Sequence, residues 1–144
     1  MRILGLDLGS KTLGIAISDT NEKLATMRET YRFPSEEYDY AVDKIIEYID
    51  EYQLKEIALG LPRHMNGDLG IRGELSITFK EIIEKERPGV VVELIDERLT
   101  SVQAEKMMIS LDTSRKKRKQ QVDSMAAMEI LQSYLDKKRN LNNG

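Results

Sequence analysis

Three strand-like segments at the start of the chain, joined by short turns, limit the possible folds more than any other feature. Residues 1–8, 13–19 and 24–33 are rich in apolar, β-branched or aromatic side chains. Clusters of small and polar residues separate them, such as Ser10-Lys11-Thr12 and Asp19-Thr20-Asn21-Glu22. Strands joined so closely predict an antiparallel meander.

Beyond residue 33 the pattern changes to alternating helices and strands. Ser35 is expected to cap a first helix that continues to Tyr52. The second helix carries one apolar stripe made of Leu75, Phe79, Ile82 and Ile83. Residues 56–60 and 90–95 read as strands. The order predicts an α/β fold with a mixed five-stranded sheet, three antiparallel strands and then parallel strands, with helices packed on it.

Length and composition restrict the class of protein. The chain has 144 residues, enough for one domain with its own core, and we assign residues 1–138 to that domain and 139–144 to a flexible tail. No cysteine is present and there is one histidine, which excludes thiolate or multi-histidine metal sites. No apolar run approaches the roughly 20 residues of a membrane span, and no secretory signal is visible. The expected location is the cytoplasm.

Three carboxylates are expected at the ends of these elements. Asp7 lies near the end of the first strand, Glu97 follows the last strand, and Asp123 begins the final helix, predicted over residues 121–138. Asp123 heads an apolar stripe that should face the sheet, made of Ala127, Ile130 and Tyr134. Ligands of α/β sheets gather at strand ends. Carboxylates gathered there favour hard cations such as Mg²⁺ or Mn²⁺, and two such ions can cleave phosphodiesters.

A run of five basic residues directly precedes the final helix. It consists of Arg115, Lys116, Lys117, Arg118 and Lys119. No acidic residue lies between Asp112 and Asp123, although the whole chain carries a net charge of -3. Such a run repels itself and should be mobile without an anionic partner. Beside a metal site it could hold a phosphate backbone, so nucleic acid is the expected partner.

Four motifs occur in order along the chain. They are Asp7-Leu8-Gly9-Ser10-Lys11, Gly60-Leu61-Pro62 with Asn66-Gly67, Asp96-Glu97-Arg98-Leu99-Thr100, and Asp123-Ser124-Met125-Ala126-Ala127 followed by Ile130-Leu131. Together they resemble the YqgF family, Holliday-junction-resolvase-like proteins with an RNase H-like fold. The resemblance implies a nuclease acting on the 5′ end of precursor small-subunit ribosomal RNA, with junction resolution as the older proposal. It also implies that Asp7, Glu97 and Asp123 bind the metal.

Several alternatives remain open on sequence grounds. An extended backbone would point Asp96 and Glu97 to opposite sides, and we choose Glu97 as the ligand. Lys11 and Arg98 join the basic run as candidate substrate contacts. Asp123 could instead act only on the helix dipole, and Glu97 could pair with Arg98 on the surface. A non-catalytic RNA- or ribosome-binding factor would look similar.

One further rival is weaker. A two-domain ATPase also begins Asp-x-Gly, but this chain has room for one such domain and has no Walker A motif. A symmetric DNA junction would call for a dimer. No apolar stripe is clearly left over for a dimer contact, which favours a monomer.

Overall fold

The computed structural model describes the backbone of residues 1–63, 66–97 and 116–143, and the side chains of the first two ranges and of 124–141. It contains five strands, β1 (Leu4–Leu8), β2 (Thr12–Ser18), β3 (Ala25–Arg32), β4 (Glu56–Leu61) and β5 (Val91–Asp96), and three helices, α1 (Asp39–Tyr52), α2 (Gly70–Glu86) and α3 (Lys116–Asn143). The capping-box spacing of Thr100 and Gln103 predicts a further helix that continues to about Ile109, and this segment lies outside these ranges. Within them, no helix is long and apolar enough to cross a membrane.

The five strands form one mixed sheet in the order β3-β2-β1-β4-β5. β1, β2 and β3 are antiparallel neighbours, as the short turns between them predict. β4 runs parallel to β1, and β5 runs parallel to β4. The α/β fold predicted from the order of elements is therefore confirmed. The carboxyl ends of β1, β4 and β5 all lie along one edge of the sheet.

The two faces of the sheet are covered by different helices. Leu4, Leu6 and Leu8 of β1 point to the face that α1 and α2 cover, where they join Ile45 and Phe79 in the larger core. The residues between them point to the other face, which α3 covers with a second cluster. That cluster contains Ile3, Ala16, Ala58, Ala126, Ala127, Ile130, Leu131 and Leu135. Because successive residues of a strand point to opposite faces, the alternation along β1 separates the two cores.

Polar contacts of the C-terminal turns of α3 determine the direction in which this helix crosses the sheet. Tyr134 donates a hydrogen bond to Glu56, the first residue of β4. Lys138 donates to Glu56 at 2.9 Å and to Glu22 at 2.8 Å. The last turns of α3 therefore lie at the amino ends of β1 and β4. Its first turns point toward the carboxyl edge of the sheet.

The contacts of Glu56 predict a loss of stability in acid. Burial alone raises the pKa of this carboxyl, but hydrogen bonds from Tyr134 and Lys138 outweigh burial and lower it from 4.5. A carboxyl whose pKa is lower in the folded than in the unfolded protein stabilises the fold at pH values above its unfolded-state pKa. This stabilisation is lost as the pH falls through the folded-state pKa. We expect Glu56→Gln to flatten the fall of the melting temperature below about pH 5. A fall as steep as that of the unmodified protein would contradict this assignment.

Two details of the predicted helices are wrong. Ser35 does not cap α1, which begins at Asp39 with Tyr38 in the capping position and no side-chain cap. The preceding chain is instead tied to the β1–β2 turn, because Glu36 has a φ of 63° and its amide donates to the carbonyl oxygen of Ser10 at 2.8 Å. Ile82 does not face the core as predicted and is 39% exposed, whereas Phe79 and Ile83 are buried in the larger core and Leu75 packs against it.

The final helix is longer than predicted. It begins at Lys116, so residues 116–119 of the basic run have helical backbone. It continues to Asn143, through most of the segment 139–144, whose flexibility stays a prediction. Ala127 and Ile130 are fully buried and Tyr134 packs beside them, which confirms the predicted orientation of these three.

Candidate active site

Asp7 lies near the carboxyl end of β1 on the face that α3 covers. Its side chain is buried, at 4% exposure. It shares this face with Gly5, because alternate residues of a strand point to the same side. Its antiparallel partner in β2 is Gly14, which has no side chain to crowd it. Asp7 therefore lies in a space bordered by glycine.

Glu97 directly follows β5, and its carboxylate lies over Gly60 of β4. A Cβ atom built on Gly60 would be 2.8 Å from Oε1 of Glu97 and 2.6 Å from Cδ1 of Ile130. Real Cβ atoms almost never come this close to a neighbour, so a side chain here would displace one of these atoms. The side chain of Glu97 is buried, at 5% exposure. The absent side chain of Gly60 thus provides the space that the carboxylate fills.

The register of the parallel strands brings Asp7 and Glu97 together. The last pair between β1 and β4 is Leu6 with Leu59, so the next residues along are Asp7 and Gly60. Neighbouring strands lie about 4.8 Å apart. The carboxylate above Gly60 is therefore beside Asp7, on the same face of the sheet. The structure joins these two predicted ligands from different strands.

The backbone of Asp123 lies in α3, one turn before Ala127. A Cβ atom on Gly5 would be 2.8 Å from the carbonyl oxygen of Ala127, which places that turn directly over Gly5. Because α3 runs antiparallel to β1, the backbone of Asp123 lies on the Asp7 side of this contact. The side chain of Asp123 is outside the described residues. Among the side chains that are described, no three acidic, histidine or cysteine residues form a group that could hold a metal ion. The role of Asp123 as the third metal-binding carboxylate therefore stays a prediction.

Asp96 and Glu97 have different surroundings. Oδ2 of Asp96 lies 3.5 Å from Nε of Arg63, in the segment that follows β4. Glu97 instead contacts Gly60 on the α3 face. The sequence predicts that the two acids point to opposite sides, and their contacts agree. It did not single out Arg63, since nothing but its place after Gly60-Leu61-Pro62 distinguishes it from other surface cations.

Of the candidate substrate contacts, Lys11 and the backbone of residues 116–119 can be placed relative to the same edge. Lys11 lies exposed in the turn between β1 and β2. Residue 116 lies about 16 Å before Ala127 along the axis of α3. This distance is longer than the part of β1 that follows Gly5, so the backbone of residues 116–119 lies just past the end of β1. Their side chains lie outside the described residues. Arg98 and Arg115 also lie outside them.

Comparison with known families and structures identifies the chain. Residues 1–137 match the family RuvX, Holliday junction resolvase. The chain belongs to this family. The resemblance to YqgF proteins is thereby confirmed, since RuvX and YqgF name the same family. Its relatives and the solved structures of similar fold add two kinds of information.

RuvX relatives of similar length carry names that describe a nuclease. A protein of Bacillus subtilis named "Putative pre-16S rRNA nuclease" is 51% identical over 136 residues, which cover 94% of this chain and 98% of the relative. A protein of the same name from Geobacillus is 49% identical over 139 residues, covering 96% and 100%. The names describe those two proteins.

The second comes from solved structures. Thermus thermophilus RuvC in complex with a Holliday junction has a TM-score of 0.61 at 13% identity, covering 97% of this chain and 96% of RuvC. The fowlpox virus resolvase in complex with Holliday junction DNA has a TM-score of 0.54 at 13% identity, covering 95% and 98%. At this identity the likeness concerns the fold alone. It confirms that the RuvX chain has the predicted RNase H-like fold.

Proposed function

We propose that this protein is a metal-dependent nuclease that hydrolyses phosphodiester bonds in the 5′ region of precursor 16S ribosomal RNA. One observation carries the proposal: Asp7 and Glu97 are both buried, and the strand register puts Asp7 next to Gly60, over which the carboxylate of Glu97 lies. Two adjacent buried acids are costly unless a cation neutralises them. The names of the RuvX relatives support ribosomal RNA as the substrate.

The donor set fits Mg²⁺ or Mn²⁺. Carboxylate oxygens are the hard ligands that these ions prefer, and with Asp123 the set would offer one carboxylate from each of three elements. When bound, two such ions would polarise the phosphate and activate water. Burial keeps the carboxylates of Asp7 and Glu97 away from bulk water before substrate arrives. Gly5, Gly14 and Gly60 keep other side chains out of the space that they share.

The positive charges would hold the substrate beside these acids. Phosphate contacts position a nucleic acid without reading its sequence. Lys11 approaches from the β1–β2 turn, and the basic start of α3 extends just beyond the end of β1. Arg98 would add a contact next to Glu97. The backbone of an RNA strand lying across this edge would then meet cations on both sides of the carboxylates.

Neutralising the basic run should weaken RNA binding without unfolding the protein. We expect replacement of Arg115 to Lys119 by glutamine to reduce affinity and to lower the slope of log affinity against log salt. On single-stranded RNA, the slope should fall by about 0.7 for each phosphate that the protein no longer neutralises. Filter binding across a salt series would measure both effects.

A matched control uses exposed lysines at the opposite edge of the sheet. Lys55 and Lys137 lie near the amino end of β4 and the end of α3, and both are exposed. Changing both to glutamine should leave the salt slope unchanged. If this pair lowers the slope as much per charge as the basic run does, the binding is diffuse and the proposed substrate contacts are wrong.

RNA and branched DNA can be separated directly. The purified protein would be incubated with Mg²⁺ or Mn²⁺ and either a precursor 16S rRNA fragment or a four-way DNA junction. We expect cleavage of the RNA by a monomer, since one site suffices for one strand. Preferential cleavage of the junction would favour the resolvase role and a dimer. If neither substrate is cut although salt-sensitive binding persists, the protein is a binding factor for RNA or the ribosome.

A further inference from the structure

Arg63 connects three segments at the carboxyl edge of the sheet. It lies two residues after Leu61, which pairs with Asp96 at the ends of β4 and β5. Its Nε is 3.5 Å from Oδ2 of Asp96. Its Nη1 donates a hydrogen bond of 2.9 Å to the carbonyl oxygen of Gly67, in the loop before α2. One guanidinium therefore ties the ends of two parallel strands to that loop.

The contact is shielded enough to matter energetically. The side chains of Arg63 and Asp96 are 31% and 19% exposed. Nε of Arg63 is itself buried and has no hydrogen-bond partner, so its contact with Asp96 is an ion pair without hydrogen-bond geometry. Removing one member of such a pair leaves the other charge partly buried without this partner, which costs more than breaking an exposed pair.

The pair also constrains the residue that follows Asp96. Consecutive residues of an extended chain point to opposite sides. With Asp96 held toward Arg63, the backbone turns Glu97 to the α3 face, where its carboxylate lies over Gly60. The cation also neutralises an acid that would otherwise compete with Glu97 for a metal ion. Both effects act on Glu97 through Asp96.

We propose that Arg63 is a positioning residue of the metal site, which selects Glu97 over Asp96 as the carboxylate beside Asp7. This role of Arg63 rests on the proposed function, because it presupposes a metal site in a nuclease. Its test does not depend on cleavage, because binding of Mn²⁺ to the protein alone can be measured. Residues that orient ligands typically change metal affinity by about 10–100-fold when they are replaced.

Electron paramagnetic resonance of free Mn²⁺ would measure its affinity for the protein without nucleic acid. We expect Arg63→Gln to weaken Mn²⁺ binding by about 10-fold. Arg63→Lys keeps the charge but not the planar guanidinium donors, so its Mn²⁺ affinity should lie between those of the unmodified protein and Arg63→Gln. The double variant with Asp96→Asn should bind no worse than Arg63→Gln alone, because both changes break one pair. The KM for RNA at saturating Mg²⁺ should change little.

The control variant is Arg87→Gln, which breaks the exposed 2.8 Å pair with Asp50 and should leave Mn²⁺ affinity unchanged. The inference is overturned if Arg63→Gln binds Mn²⁺ like the unmodified protein. A raised KM for RNA with unchanged Mn²⁺ affinity also overturns it, since Arg63 would then contact substrate. If Arg63→Gln does not fold, Arg63→Lys decides. Cleavage by the unmodified protein tests the proposed function separately, whatever the Mn²⁺ comparison gives.

Discussion

Replacing Asp7 by asparagine is expected to slow cleavage of precursor 16S rRNA by about 10²–10³-fold while the protein stays folded. Asparagine has nearly the same shape, so the packing around Gly5 and Gly14 is kept. Its amide carries no charge to hold a divalent cation beside Glu97. The measurement is the single-turnover cleavage rate at saturating Mg²⁺, together with a thermal melt.

The matched control is Asp19→Asn, at the opposite edge of the sheet. Asp19 accepts hydrogen bonds from the amides of Lys23 at 2.7 Å and Leu24 at 3.0 Å, so its role lies in the turn before β3. Its replacement should leave the cleavage rate unchanged. An Asp7→Asn protein that cuts within a few-fold of the unmodified rate would remove Asp7 from the site.

Adding one methyl group at Gly60 is expected to damage the site more than the fold. The new Cβ would meet Oε1 of Glu97 at 2.8 Å and Cδ1 of Ile130 at 2.6 Å. Both are ends of flexible side chains, which can swing aside at modest cost. The carboxylate would then leave its place beside Asp7, and a displacement of about 1 Å can cost about 10²-fold in rate. We expect such a loss in Gly60→Ala with a small change in melting temperature.

Replacing Gly5 by alanine should instead damage the fold more than the site. There the new Cβ would lie 2.5 Å from Cβ of Leu131 and 2.8 Å from the carbonyl oxygen of Ala127. Backbone and Cβ atoms cannot swing aside, so α3 itself would have to move. Gly5→Ala should lower the free energy of unfolding by about 1–3 kcal/mol. Denaturant melts of both variants test the contrast, and a Gly60→Ala protein less stable than Gly5→Ala would contradict it.

Local pattern accounts for much of the fold and for part of the site. Alternation along β1 predicts that Asp7 and Gly5 share a face, because strand geometry alone determines this. The helical stripe of Ala127 and Ile130 likewise predicts which side of α3 packs on the sheet. The family motifs point to Glu97, and alternation separates it from Asp96.

What the sequence could not predict depends on contacts between distant segments. Ser35 looks like a helix cap, but the hydrogen bond from Glu36 to Ser10 holds that segment against the β1–β2 turn instead. The pairing of Arg63 with Asp96 joins residues 33 positions apart and has no periodic signal. The role of Gly60 also becomes visible only once Glu97 lies above it.

We propose that Asp7, Glu97 and Asp123 bind divalent cations at one site. Anomalous diffraction from crystals soaked in Mn²⁺ tests it most directly, because it locates the ions without relying on a substrate. We predict Mn²⁺ peaks within bonding distance of the carboxylates of all three residues. No peak between Asp7 and Glu97, or peaks there that the carboxylate of Asp123 does not reach, would contradict the account.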